Sequence, residues 1–323
     1  MPFLSIFGSH TTNGVAALHT ELLKETIFRD FYNLFPERFQ NKTNGITPRL
    51  WLRCANPELA ELISDHIGSD WITDLDKLEE LFDLASKESF QHQWQEVKRL
   101  KKQQLCDWIK TTHKVELVVD SLFDVQVKRI HEYKRQLLNI LHVVHLYDQL
   151  RKNPKMKVPK RTFLFGGKAA PGYYMAKQII RLINDVAEKV NTDVEIEDRL
   201  RVLFVTNYGV SSSEKIIAAS EVSEHISTAG TEASGTSNMK FSLNGCILLG
   251  THDGATIEIG EEVGSENIFT FGLKANDVQH LRANGYDPQQ IYNDNPRVKN
   301  VLDLVGSGFF NPQEPQRYRD LID

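Results

Sequence analysis

Three cysteines in 323 residues (Cys54, Cys106 and Cys246) are too few, too scattered and of the wrong parity for a disulfide framework, and they have no metal-ligand spacing. They are expected as reduced thiols in a reducing compartment. No apolar run approaches the ~20 residues that cross a bilayer, so no membrane partner is expected. The opening Met1-Pro2-Phe3-Leu4-Ser5-Ile6-Phe7-Gly8 lacks a basic flank and a cleavage site, and no secretory signal is expected there. A basic excess is missing as well. The net charge of -5 argues against a nucleic-acid partner, because a phosphate backbone needs a dominant basic face. Repeats, low-complexity segments, a Ser/His/Asp order and zinc spacings are also absent. The remaining balance, 41% hydrophobic and 25% charged with a mean hydropathy of -0.37, is that of an ordinary soluble globular chain. Its length allows one large domain or two.

Four short apolar runs stand beside glycine turns. They are Arg161-Thr162-Phe163-Leu164-Phe165, Arg201-Val202-Leu203-Phe204-Val205, Cys246-Ile247-Leu248-Leu249-Gly250 and Ile268-Phe269-Thr270-Phe271-Gly272. Amphipathic stretches separate them, notably Tyr174–Ile183, and upstream Pro57–Ile63 and Glu88–Lys110 read as helices. Residues Ile130–Lys152 give the clearest helical pattern, with Tyr133, Leu137, Leu141 and Val144 along one stripe. Buried strands alternating with helices predict a doubly wound, Rossmann-like α/β fold with a parallel sheet and flanking helices. The charged 151–160 stretch and the Pro/Gln-rich 312–316 stretch read as surface connections.

Three stretches could carry chemistry. In Ala233-Ser234-Gly235-Thr236-Ser237-Asn238-Met239-Lys240, Gly235 permits close backbone approach, and Thr236 or Ser237 can cap a helix start. Such a start attracts phosphate, and one turn, about 5.4 Å, separates it from the Lys240 amine. The alternative is a capped helix bearing a solvated lysine. In Lys128-Arg129-Ile130-His131-Glu132-Tyr133-Lys134-Arg135, cations crowd a predicted helix start where the macrodipole repels them. Bound anions would explain that placement, and a solvated basic face is the plain alternative. Gly166-Gly167-Lys168-Ala169-Ala170-Pro171-Gly172-Tyr173 has the composition of a phosphate loop without a Walker or dinucleotide spacing, and reads equally as a βα turn. Asn41–Arg49 reads as a turn plus a helix start near Pro48, and His252-Asp253-Gly254 as a tight turn.

Taken in order, Phe39–Arg49, Lys128–Asn139, Gly166–Tyr173 and Ile226–Lys240 resemble the C-terminal half of the α-glucan phosphorylases (glycogen, starch and maltodextrin phosphorylases) over nearly the whole chain. Ser237 is similar to the plant starch branch, where other members carry glycine. The resemblance implies the second domain of a two-domain glycosyltransferase. Residues 1–40 would be the end of the first domain, and 41–323 a pyridoxal-phosphate-binding domain without its final helices. It implies phosphorolysis of the terminal α-1,4-linked glucose of a glucan by orthophosphate, giving glucose 1-phosphate with retained configuration. Pyridoxal 5′-phosphate would be the cofactor, joined to Lys240 as a Schiff base. By the same resemblance Lys128 and the amides of Thr236 and Ser237 hold the cofactor phosphate, with Gly235, Tyr208 and Glu214 lining its pocket. Arg129 and Lys134, with Lys128, carry the catalytic positive charge, and Arg129 and Lys134 take the substrate phosphate. Asn44, Tyr133, Glu232, Ser234 and Gly235 would meet the sugar.

The resemblance also implies a cytoplasmic protein, or a plastid one if a transit peptide lies upstream, and a family whose members form homodimers. Departures are Gly209 beside Tyr208, Ala218-Ala219-Ser220 without the family's proline, and Thr256 where asparagine is usual. Family members are more than twice this length, and their N-terminal half completes the sugar pocket. The alternative expectation is therefore an inactive remnant that binds pyridoxal phosphate or a protein partner. A nucleotide-sugar glycosyltransferase of similar fold would not need Lys240 in a phosphate-cradling context.

Overall fold

The structure, a computed structural model, describes residues 1–322. Two compact units divide it. The first comprises Met1–Ile46, His225–Met239 and Ile247–Tyr286, and the second Thr47–Glu224, Lys240–Cys246 and the chain from Asp287 onward. In chain order the elements begin with α1 (Pro2–Gly8), β1 (Thr12–Gly14), α2 (Ala17–Glu25), α3 (Arg29–Leu34) and β2 (Phe39–Asn41). There follow α4 (Pro57–Ile67), α5 (Glu88–His113), β3 (Leu122–Val127), α6 (Gln136–Lys152), β4 (Arg161–Gly166), α7 (Tyr174–Thr192), β5 (Leu200–Val205) and α8 (Val210–Ala219). The remainder is β6 (Val222–His225), α9 (Ser237–Leu243), β7 (Ile247–Gly250), α10 (Gly254–Val263), β8 (Phe269–Thr270), α11 (Ala275–Asn284), α12 (Pro288–Asp294), α13 (Pro296–Gly306) and α14 (Arg319–Ile322). Among the described residues, no helix is long and apolar enough to cross a membrane.

The second unit is built on parallel strands in the order β5-β4-β3-β6, with Val125 opposite Leu164, Phe163 opposite Val202 and Asp124 opposite Val222. Connections step outward from β3 to β4 to β5, then return across the sheet to β6. The winding therefore reverses between β3 and β6, and ligands of such sheets bind outside the carboxyl ends of the strands at that point. Alternation puts Phe163, Phe165, Val202 and Phe204 on one face, where they join Ile140, Val143 and Tyr147 of α6 and Ile179, Leu182 and Val186 of α7 in one core. Phe123 lies on the other face, with the Lys102 amine of α5 4.8 Å from its ring centroid, and α5 packs against α8. Helices thus cover both faces, as the alternation of apolar runs predicts.

Several elements differ from the sequence reading. The strands β3 and β6 escaped it because Asp124, Gln126, Ser223 and Glu224 interrupt their apolar character, yet all four are buried. Helix α6 starts at Gln136 rather than Ile130, since the chain before it closes a 3₁₀ turn at Glu132–Lys134 and Arg135 takes a left-handed φ of 59°. Its buried stripe is Ile140, Val143, Val144, Tyr147 and Leu150, while Leu137 and Leu141 only flank the core. Asn41, expected to open a turn, instead ends the strand Phe39–Asn41, parallel to β1, and the helical turn after Pro48 is a π-helix over Arg49–Cys54.

The buried carboxyls of Asp124 and Glu224 share a hydrogen bond, and Arg161 Nη1 lies 3.8 Å from Asp124. Burial raises both above the ordinary carboxylate range. Asp124's charge raises Glu224 further, and Arg161 offsets part of the rise for Asp124. The folded chain therefore keeps a proton that the unfolded chain releases near its ordinary values of 3.8 and 4.5. The pair's contribution is complete below those values and declines as pH rises through the folded values. Glu224→Gln, which needs no shared proton, should gain on the wild type in urea midpoint as pH is raised from about 4.5 to 7. A midpoint difference that stays flat with pH would rule this out.

Candidate functional site

The cation-bearing loop leaves the carboxyl end of β3. Backbone pairing with β4 continues past the strand ends, with Lys128 N 2.9 Å from Gly166 O and Ile130 N 3.2 Å from Lys168 O. Gly167 makes this possible: a Cβ there would stand 1.8 Å from the Lys128 carbonyl oxygen. Buried amides hold the loop from beneath. Gln126 Nε2 donates to Lys134 O at 3.1 Å, Gln136 Nε2 to Arg129 O at 2.9 Å, and Asn139 Nδ2 to Gln126 Oε1 at 3.1 Å. Lys128 and Lys134 are half-buried and Arg129 is exposed, so three cations project from a loop with a fixed backbone. The cluster stands ahead of α6 rather than on its first turn, contrary to the sequence expectation. Tyr133 lies in the same loop, with the Lys134 amine 4.8 Å from its ring centroid.

Lys240 belongs to the short helix α9, three residues after Ser237. Its Nζ sits 3.8 Å from the ring centroid of Trp51, over the face of the indole. Burial pushes this amine below the usual lysine range, which raises the fraction able to act as a nucleophile. Asn244 fixes the local geometry, donating through Nδ2 to Lys240 O at 2.9 Å and to Trp51 O at 2.7 Å, and Asn56 Nδ2 donates to Asn244 Oδ1 at 3.0 Å. Tyr208 is half-buried in the turn between β5 and α8, and burial pushes its hydroxyl up to about 12. Glu214 lies in the second turn of α8. Lys128, Arg129, Tyr133, Lys134, Tyr208, Glu214 and Lys240 thus all belong to the second unit.

The first unit carries Asn44, Glu232, Ser234, Gly235, Thr236 and Ser237. Gly235 has φ 77°, in the left-handed region that favours glycine. Asn44 is exposed on a segment tied down through its own N–H to Val15 O at 3.0 Å and through Thr43 to Glu258 at 2.5 Å. Beneath the Ser227–Ser234 segment lies Asp253, buried and the N-cap of α10. Trp51, Asn244, the three amide residues under the cation loop, and Asp253 with His19 contact or hydrogen-bond these segments and were not among the expected site residues. Only Asp253 left a signal, as an Asp-Gly capping pair following a strand. Among the described residues no group of His, Cys, Asp and Glu could hold a metal ion, and none of the three cysteines is in a disulfide.

The chemistry on offer is therefore a desolvated amine and a set of fixed cations in one unit, with sugar-compatible polar groups in the other. A family profile described as carbohydrate phosphorylase matches residues 1–323. The chain belongs to that family. It is similar to a glycogen phosphorylase of Synechocystis, at 54% identity over 323 residues. It is also similar to the muscle form of glycogen phosphorylase from sheep, Ovis aries, at 52%, and from Homo sapiens, at 51%. In each case the whole of this chain aligns, and it spans 38% of the relative's length. The α/β architecture, a parallel sheet flanked by helices, is consistent with a portion of that family's glycosyltransferase fold.

Proposed function

We propose that this chain is the portion of an α-1,4-glucan phosphorylase that holds pyridoxal 5′-phosphate and the oxyanions of the reaction. The observation that carries the reading is Lys240: a lysine amine desolvated over the Trp51 ring, in the helix that follows the glycine turn at Gly235. A solvated surface lysine, the plain alternative, would have neither feature. The residues fit the cofactor. Lys240 would take its aldehyde, Lys128 and the amides of Thr236 and Ser237 its phosphate, and Tyr208 and Glu214 would line the pocket. Ser237 favours kinship with the plant starch phosphorylases, and a cytoplasmic setting suits three cysteines outside any disulfide.

In the reaction, an orthophosphate oxygen bonds to C1 of the terminal glucose as the C1–O bond to the glucan breaks. The departing oxygen gains a proton, and glucose 1-phosphate is released. When bound, the cofactor supplies a phosphate able to exchange a proton with the substrate phosphate. The chain's own part is electrostatic. Arg129 offers a planar fork and Lys134 a point charge to the substrate oxyanion, and such fixed charge usually supplies the largest share of catalysis. Glu232, Tyr133, Asn44 and the amides of Ser234 and Gly235 would hold sugar hydroxyls.

A second reading, binding without turnover, is favoured by the 38% span of the relatives. Incubation with maltodextrin, orthophosphate and pyridoxal phosphate decides between the two. Negligible glucose 1-phosphate is expected from this chain by itself, whereas sustained release would refute the second reading.

A further inference from the structure

Within the first unit, Asp253 is tied more heavily than a helix cap requires. Its carboxylate accepts from the Gly254 amide at 3.0 Å, as a cap does, and also from Ser227 Oγ at 2.8 Å. The consecutive amides of Gly230, Thr231 and Glu232 donate to it at 3.0, 3.3 and 2.8 Å, and His19 Nε2 stands 2.9 Å from Oδ1. Burial opposes ionisation of this group, but the bonds from His19, the Glu232 amide and Ser227 hold it below the usual carboxylate range. The next two residues continue the grip. Ala255 N donates to Ser234 O at 2.8 Å, and a Cβ on Gly254 would stand 2.5 Å from Ser234 O and 2.7 Å from Glu232 O. Four residues further along α10, Glu258 accepts from Thr43 Oγ1, the neighbour of Asn44. One helix thus fixes two chain segments, and each bears a group assigned above to the sugar.

We propose that Asp253, clamped by His19, is the positioning residue for sugar recognition: it shapes the Ser227–Ser234 segment so that Glu232 and the Ser234 amide face glucose hydroxyls, and α10 holds Asn44 through Glu258 to the same end. The inference rests on the phosphorylase reading of Glu232 and Asn44. Asp253 touches no substrate. Three backbone amides in sequence converge on one carboxylate, so its loss releases the whole turn rather than a single contact.

The test uses the full chain loaded with pyridoxal phosphate, and calorimetric titration with glucose 1-phosphate and, separately, orthophosphate. Asp253→Asn should weaken glucose 1-phosphate at least tenfold and orthophosphate less than twofold, with bound-cofactor absorbance retained. Amide exchange at Gly230, Thr231 and Glu232 should accelerate. His19→Leu, a milder change should Asp253→Asn fail to fold, is expected to give the same ligand-selective loss at smaller size. Equal losses for both ligands, or none for either, would overturn the proposal. So would a wild type that holds the cofactor and orthophosphate but not glucose 1-phosphate. Failure to bind either cofactor or orthophosphate would instead refute the phosphorylase reading itself.

Discussion

Lys240→Ala is expected to lose the near-ultraviolet or visible absorbance of bound pyridoxal phosphate and to weaken cofactor binding by about 100-fold or more, roughly 3 kcal/mol. The size follows from the site. The Lys240 amine is the group desolvated over Trp51; on the proposed reading its removal would delete the covalent attachment and leave only the phosphate contacts proposed for Lys128 and the Thr236 and Ser237 amides. Lys240→Arg is the sharper control, because it keeps the positive charge over the indole but cannot form the linkage. Folding should survive both changes. The side chain is only half-buried, and Asn244 holds the helix through the Lys240 carbonyl rather than its amine. Spectra of the two variants that matched the wild type would remove Lys240 from the cofactor site.

Arg129→Ala is expected to weaken orthophosphate binding by about 10- to 100-fold, the worth of one charge-assisted, bidentate contact at roughly 1.5–3 kcal/mol. The guanidinium is exposed, while the Arg129 carbonyl stays bonded to Gln136, so the loop and the urea midpoint should not move. Arg129→Lys should recover only part of the affinity, since an ammonium keeps the charge and loses the fork. Raising the salt concentration should shrink the difference between wild type and Arg129→Ala, as expected for an exposed cation. Calorimetry across the three proteins checks each point, and equal phosphate affinity for Arg129→Ala and wild type would contradict the assignment.

Much of the second unit could be read from the sequence because β4, β5 and the helices around them follow the simple rule that buried elements are apolar. The two strands at the switch point break that rule. Of their polar side chains, Gln126 holds the Lys134 carbonyl, and Asp124 and Glu224 lie buried against each other. For the same reason the cation cluster was legible as residues and illegible as geometry. Nothing in Lys128–Arg135 alone says that glutamines at 126 and 136 will hold it off the following helix. Gly235 and Lys240 were singled out through the family motif that contains them, whereas Trp51 beneath the amine is 189 positions away in sequence and could be found only once the chain was folded. Asp253 shows the opposite case, a short-range signal of a tight cap whose long-range partner, His19, appears only in the fold.

The central claim is that Lys240 is the point at which this chain holds pyridoxal phosphate. Borohydride reduction of the chain after incubation with the cofactor, followed by proteolysis and mass spectrometry, tests it directly. The account predicts a single pyridoxyl-bearing peptide, the one containing Lys240, formed at near-stoichiometric yield. Label spread over surface lysines, or absent from that peptide, would contradict it.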